Sequence, residues 1–330
     1  MCRMPKVAAR LCLPLVFALP VFSLGQAWED TAIGKASALV QAGKPKQAES
    51  VLRAAAATDP KSEGVHTTLG RLLFRQQKYE DAVQELGLAL QINPDSRENS
   101  LLLSEALIGW GHFDVAVKFL QAVQPKFGSY PEFHYDLGLA FYKENKITEA
   151  KTAFQEATRL APNLDRAQFL LAACIATEGD YANAVEIFRR LANDHPTNAI
   201  YWATLAQMLT HLGSENLPEA LRACRRARTL KPQDPHVQYV TGTVLMQSGY
   251  FAEAQPLFEN LVRLDPKELR AHIALARIYG RRGKPELARK ETQIVNQLEK
   301  EKASQSVPAA PGRPGASQEP PVPSPVPVRN

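Results

Sequence analysis

Residues 131–164 read PEFHYDLGLAFYKENKITEAKTAFQEATRLAPNL, and the fold is decided in this stretch. Leu137, Gly138 and Phe141 mark one apolar-periodic segment, and Ala150, Phe154 and Ala157 mark a second. Their spacings of one, three and four residues place each set on a single face of an α-helix. Asn145 falls just past the first segment, where a helix ends in a left-handed residue. Pro162 follows the second segment, and its missing N–H and its ring stop a helix there. The stretch predicts two antiparallel helices joined by a tight turn. With its residues numbered as places 1 to 34, Leu137, Gly138, Phe141, Asn145, Ala150, Phe154, Ala157 and Pro162 take places 7, 8, 11, 15, 20, 24, 27 and 32.

Working outward, the place-20 alanine returns as Ala48, Ala82, Ala116, Ala150, Ala184, Ala220, Ala254 and Ala288, at gaps of 34 residues except one of 36. The place-32 proline returns as Pro60, Pro94, Pro162, Pro196, Pro232 and Pro266. Place 15 is Gly43, Gly111, Asn145, Gly179, Gly213, Gly249 and Gly283, and Gln77 breaks that series. Small residues at places 8 and 20 are expected where the two helices of a pair cross closely. A fixed period in this range marks a solenoid, whose units cannot bury their own apolar faces and stack to build a continuous core. The predicted units are 29–62, 63–96, 97–130, 131–164, 165–198, 199–234, 235–268 and 269–302, a solenoid over 29–302. The third unit carries Ser104 at place 8 and Gly128 at place 32, with Pro125 arriving early, so its exit turn is expected to be distorted. The first and last units depart furthest from the pattern, as capping units do.

The recurring Leu-Gly, Ala-x3-Phe and Pro, with Trp202 at place 4 of the sixth unit, resemble the tetratricopeptide repeat. The resemblance implies an all-α, right-handed superhelical solenoid of eight helix-turn-helix units and a scaffold that binds proteins or peptides. It also implies a concave groove lined by the first helix of each unit at places 2, 5, 9 and 12. Those places hold Arg71, Phe74, Tyr135, Tyr142, Arg166, Phe169, Gln207, Tyr239, Met246, Arg270 and Arg277. Exposed aromatic and Arg side chains of this kind make peptide-binding hot spots. Some of the tyrosines have a second reading, as filler between adjacent first helices. The family's carboxylate clamp needs Lys, Asn, Asn, Lys and Arg where this chain offers Thr67, Arg71, Leu102, Glu132 and Asp136, so that specialisation is not supported.

The two ends differ from the repeats. Arg3, Lys6 and Arg10 precede an apolar run from Leu11 to Leu24 and then Gly25-Gln26-Ala27, the order of a secretory signal peptide over 1–27 cut after Ala27 or after Gly25. The run is interrupted by Pro14 and Pro20 and falls short of the ~20 apolar residues of a membrane span, so no stable transmembrane anchor is expected. Export to a periplasmic or extracellular site follows. Residues 303–330 turn to Pro, Ala, Ser and Val and predict a disordered Pro-rich tail, either a tether or a polyproline segment for an aromatic groove. Cys174 and Cys224 fall on helices that the stacking order keeps apart and are expected to be free packing residues.

No motif of catalysis, phosphate binding or metal binding is present, so no enzyme, cofactor or metal is expected. His66, His134 and His272 all fall at place 4 in separate units and read as packing residues. The net charge of +5 loses the three basic residues of the leader, too little excess to argue for nucleic acid. Arg222, Arg225, Arg226 and Arg228 read first as a solvated face. Two functions are left open: capture of a protein or peptide segment in the groove, or a structural assembly subunit docking through its end units and tail. Partner identity and oligomeric state are not encoded in any recognisable motif.

Overall fold

The computed structural model describes residues 22–306, and they are helical throughout apart from short turns. They divide into two compact units, the first ending at Leu102 and the second beginning at Leu103. The first holds α1 (Phe22–Gln41), α2 (Pro45–Thr58), α3 (Glu63–Arg75), α4 (Tyr79–Ile92) and the start of α5 (Arg97–Trp110). The second holds the rest of α5 and then α6 (Phe113–Phe127), α7 (Pro131–Lys143), α8 (Ile147–Leu160), α9 (Asp165–Thr177) and α10 (Tyr181–Asp194). It continues with α11 (Ala199–Leu209), α12 (Leu217–Leu230), α13 (Pro235–Gln247), α14 (Phe251–Leu264), α15 (Leu269–Arg281) and α16 (Pro285–Ser306). From α6 to α16 consecutive helices pack on one another, and α7 meets α9, α11 meets α13 and α13 meets α15, while Phe169 of α9 stacks on Tyr201 of α11 at 5.7 Å. Within the second unit, the first helices of the pairs therefore form one continuous face.

The repeat chemistry explains these boundaries. The second helices α2, α4, α8, α10, α12 and α14 end two residues before their place-32 proline. The residue between is extended, as at Asp59 (φ −130°, ψ 90°) and Asp265 (φ −132°, ψ 99°), because a following proline disfavours the helical region. In the third pair Pro125 lies inside α6 and Gly128 keeps a helical φ of −65°, so the expected distortion takes the form of a helix running on to Phe127. The two extra residues of the sixth pair are taken up by a single three-residue 3-10 turn, Ser214–Asn216, ahead of α12.

Small residues sit where helices cross. The place-20 alanines from Ala48 to Ala254 are fully buried, whereas Ala288 is only partly buried. A Cβ on Gly138 would fall 2.7 Å from Phe154 Cδ1, and one on Gly242 would fall 2.6 Å from Phe258 Cε2. Place 8 is thus small because place 24 of the same pair is large. Phe154, Phe188 and Phe258 are completely buried there, each contributing about 1.5–3 kcal/mol relative to exposure.

The place-4 side chains form a joint. His66 Nε2 donates to the Pro60 carbonyl at 3.1 Å, His134 Nε2 to Gly128 at 2.7 Å, and Trp202 Nε1 to Pro196 at 3.2 Å. Gln238 Nε2 donates to Pro232 at 2.9 Å, His272 Nε2 to Pro266 at 3.1 Å, and Gln168 Nε2 bonds Pro162. Each satisfies an orphan carbonyl beyond the end of the preceding helix. The buried histidines are therefore packing residues with a specific hydrogen-bonding task.

Gln77 departs from the glycine series in sequence but not in backbone, with φ +61°, beside Asn145 at +61° and Gly179 at +91°. Two bonds hold it, Gln77 N–H to Phe74 O at 2.9 Å and Lys78 N–H to Leu73 O at 3.0 Å. The same pair recurs at Gly179 and Asp180. Helix α16 runs to Ser306, three residues past the predicted start of the tail at 303, because Lys302 is followed by helix-compatible Ala303 and Ser304 rather than by proline. Helix α1 includes Phe22–Ala27, the end of the expected leader, while residues 1–21 and 307–330 and the expectations on them lie outside the described residues. Cys174 and Cys224 are buried and free, and burial pushes both thiols up to about 11.

Candidate functional site

None of the eleven predicted groove residues is buried. Arg71 and Phe74 belong to the first unit, where Arg71 pairs with Glu98 and Phe74 meets Tyr79 edge-on at 5.8 Å. The other nine belong to the second unit and do not form one site. Tyr135, Phe169 and Tyr239 at place 5 rest on the buried Phe154, Phe188 and Phe258, with centroids 6.0, 5.3 and 5.9 Å apart. Tyr135 and Tyr239 are also covered from the next pair, where the Arg166 guanidinium lies 4.3 Å over Tyr135 and that of Arg270 lies 4.6 Å over Tyr239, while Phe169 stacks on Tyr201 at 5.7 Å. The two tyrosines therefore fill the seam between first helices, the second reading given to them above. Gln207 and Met246 are half-buried, Arg277 is exposed, and Met246 packs beside the core of the last pairs.

Acidic groups cluster near the first of these seams. Ser104 Oγ donates to Asp136 Oδ2 at 2.6 Å, and burial pushes the Asp136 carboxyl up to about 7. Burial also raises Glu105, opposed by the charge of Arg166. The Ser104–Asp136 bond joins α5 to α7.

What the structure does bring together is a pocket of about 290 Å³ among α7, α9, α10 and α11. Tyr142 and Phe169 line it, as do Tyr181, Met208 and His211 around a floor that includes Ala173 and Ala176. Tyr181 and His211 stack almost parallel, 4.3 Å apart at 5°, and form a flat wall. The lining contains no Asp, Glu, Lys or Arg. Its volume lies at the bottom of the usual ~300–1,000 Å³ range of ligand pockets, which suits one or two side chains of a bound segment. A second hollow of about 570 Å³ lies against α8 and is lined by charged Glu149, Glu156 and Arg159, the last two paired with each other at 2.7 Å.

Tyr181, Met208 and His211 are absent from the predicted groove because they lie at place 17, at place 10 and in the turn after α11. Two signals point to them in the sequence. Aromatics recur at place 17 as Tyr79, Phe113, Tyr181 and Phe251. The fifth pair also has alanine at both places 9 and 12, where the fourth has Leu139 and Tyr142. Among the described residues, no group of three or more His, Cys, Asp or Glu side chains is placed to hold a metal ion, and no helix is long and apolar enough to cross a membrane.

Two sequence models, both of the tetratricopeptide repeat, match residues 39–98, 73–135 and 245–304, and residues 135–199 and 179–235. The chain is 25% identical over 219 residues to the BBSome complex member BBS4 of Bos taurus, covering 66% of this chain and 42% of that protein. It is 30% identical over 103 residues to the cytochrome c-type biogenesis protein CycH of Rhizobium meliloti, 31% of this chain and 26% of that one. The chain thus spans less than half the length of these curated relatives. Among solved structures, a tetratricopeptide repeat protein of Parabacteroides merdae superposes with a TM-score of 0.60 at 17% identity, over 79% of this chain and 98% of that one.

Proposed function

Because the chain belongs to the tetratricopeptide-repeat family, we propose that it is an exported, non-catalytic assembly scaffold that holds a protein of a larger complex on the face formed by its first helices. The observation that carries this is the uncharged aromatic pocket of Tyr142, Phe169, Tyr181 and His211, on a face where Arg166 covers Tyr135 and Arg270 covers Tyr239. Two relatives support assembly over capture of free peptides, one named as a complex member and one as a biogenesis protein. The basic, apolar and small-residue order of residues 1–27 supports export.

The test is affinity purification of the wild type beside a Thr177→Arg variant, which adds a charge at the rim of the pocket on an exposed residue. A partner that co-purifies stoichiometrically with the wild type and falls at least about ten-fold in the variant supports the reading, since a desolvated hot spot carries about 2 kcal/mol or more. Equal recovery refutes it and moves docking to the end pairs. Export is tested by N-terminal sequencing of the processed protein, with Trp28 expected first, or Gln26 for the earlier cut.

A further inference from the structure

The reading of this face as a docking surface leaves open what occupies the pocket when no partner is present. We infer that the protein's own segment Pro320-Pro321-Val322-Pro323-Ser324-Pro325-Val326-Pro327 sits there, so that a partner must displace it. The inference rests on the proposed function for the choice of site and on chemistry for the choice of occupant.

Three observations carry it. Proline-rich segments are recognised by grooves lined with flat aromatic rings, because the polyproline II helix is already extended and loses little entropy on docking. The stacked Tyr181–His211 wall, with Tyr142 and Phe169, is such a surface. Charge matches as well: residues 320–328 contain no ionisable side chain, and the pocket lining contains no carboxylate, ammonium or guanidinium. Reach is sufficient. From Ser306, where α16 ends, to Pro320 the chain extends about 43 Å at ~3.1 Å per residue. The pocket lies three first-helix steps from α15, roughly 30 Å at ~10 Å each, and about 30 Å back along the 22-residue α16 at ~1.5 Å per residue, roughly 43 Å in a straight line, which the chain to Pro320 just spans.

The experiment compares the full-length wild type with a full-length variant carrying Pro320→Ser, Pro321→Ser and Pro323→Ser, substitutions outside the described helices. The probe is a labelled synthetic peptide of residues 318–330, titrated by fluorescence anisotropy. A tethered tail is held at on the order of 1 mM, so a peptide with a dissociation constant ten-fold lower binds the wild type about ten-fold more weakly than it binds the variant. Adding His211→Ala to the tail variant removes an exposed ring of the wall and is expected to weaken peptide binding several-fold without unfolding the chain.

Equal peptide affinity for wild type and tail variant, no binding to either, or no effect of His211→Ala overturns the inference. A wild-type mass of two chains that falls to one in the tail variant also overturns it, by assigning the pocket to the tail of a second copy. Failure here is separable from failure of the scaffold reading. Absent peptide binding with Thr177-dependent partner recovery sinks only the tail. Pocket-dependent peptide binding with unchanged partner recovery sinks only the scaffold site.

Discussion

Replacing Gln77 by glycine is expected to stabilise the first unit by about 0.5–1 kcal/mol. Gln77 holds φ +61°, and an L-residue in that region costs roughly 1–2 kcal/mol. Glycine removes the cost but has more freedom to lose on folding, about 0.5–1 kcal/mol, which offsets part of the gain. Nothing else changes, because the Gln77 side chain is exposed and makes no hydrogen bond among the described residues. The two backbone bonds at 2.9 and 3.0 Å are kept by any residue that adopts the turn. Equilibrium urea unfolding reads the effect as a midpoint raised by about 0.3–0.5 M at a slope near 2 kcal/mol/M, with the slope unchanged. Exchange of the Lys78 amide, which closes the turn, should slow about two- to five-fold. Gln77→Ala keeps the Cβ and the strain and gives no gain, while Gln77→Asn gives part of it, as Asn145 occupies the same conformation. A Gln77→Gly protein no more stable than Gln77→Ala would refute the argument, since it would mean that backbone conformation is not what place 15 selects.

Gly138→Ala should destabilise by up to about 2 kcal/mol, the ~1–3 kcal/mol cost of overpacking against Phe154 being offset in part by the ~1 kcal/mol gain in helix propensity. Phe154→Leu in the same chain should recover part of that loss, measured as non-additivity in a double-mutant cycle, while Gly280→Ala, with nothing within 4 Å, should not destabilise. His66 is raised above its ordinary 6.5 by its bond to Glu85 at 2.7 Å, so its contribution is full below that value and is lost as pH rises through the raised one. His66→Gln, which can keep the bond to Pro60, should flatten that loss in thermal melts taken across the range. Asp136 has the opposite chemistry and the same slope: its carboxyl, at about 7 against 3.8, is held neutral when folded, so stability falls as pH rises from 3.8 through 7. Asp136→Asn should be more stable than wild type by about 1–3 kcal/mol above pH 8 and equal to it below pH 4, and a variant destabilised at both ends would contradict the burial argument.

The features legible in the sequence are those that backbone geometry imposes on residue type. A helix stop selects proline, a left-handed turn selects glycine or asparagine, and a close crossing selects alanine, so their period was readable. The joint at place 4 was not, because His, Gln and Trp share only an N–H at a similar reach, and no composition rule groups them. The pocket was hidden for a different reason. It exists because Ala173 and Ala176 leave space that Leu139 and Tyr142 fill in the pair before, and a missing side chain gives a weaker signal than a present one. Tyr135 and Tyr239 show the converse, aromatic residues at groove places whose faces Arg166 and Arg270 already cover.

The place-4 joint spans six residues, from the carbonyl after one pair to the donor in the first helix of the next. Both partners are written next to each other in the chain, so a pair copied or deleted as a 34-residue cassette carries its own connector and asks nothing of distant sequence. Such a joint lets an array change its number of pairs in one genetic step while each connection stays intact.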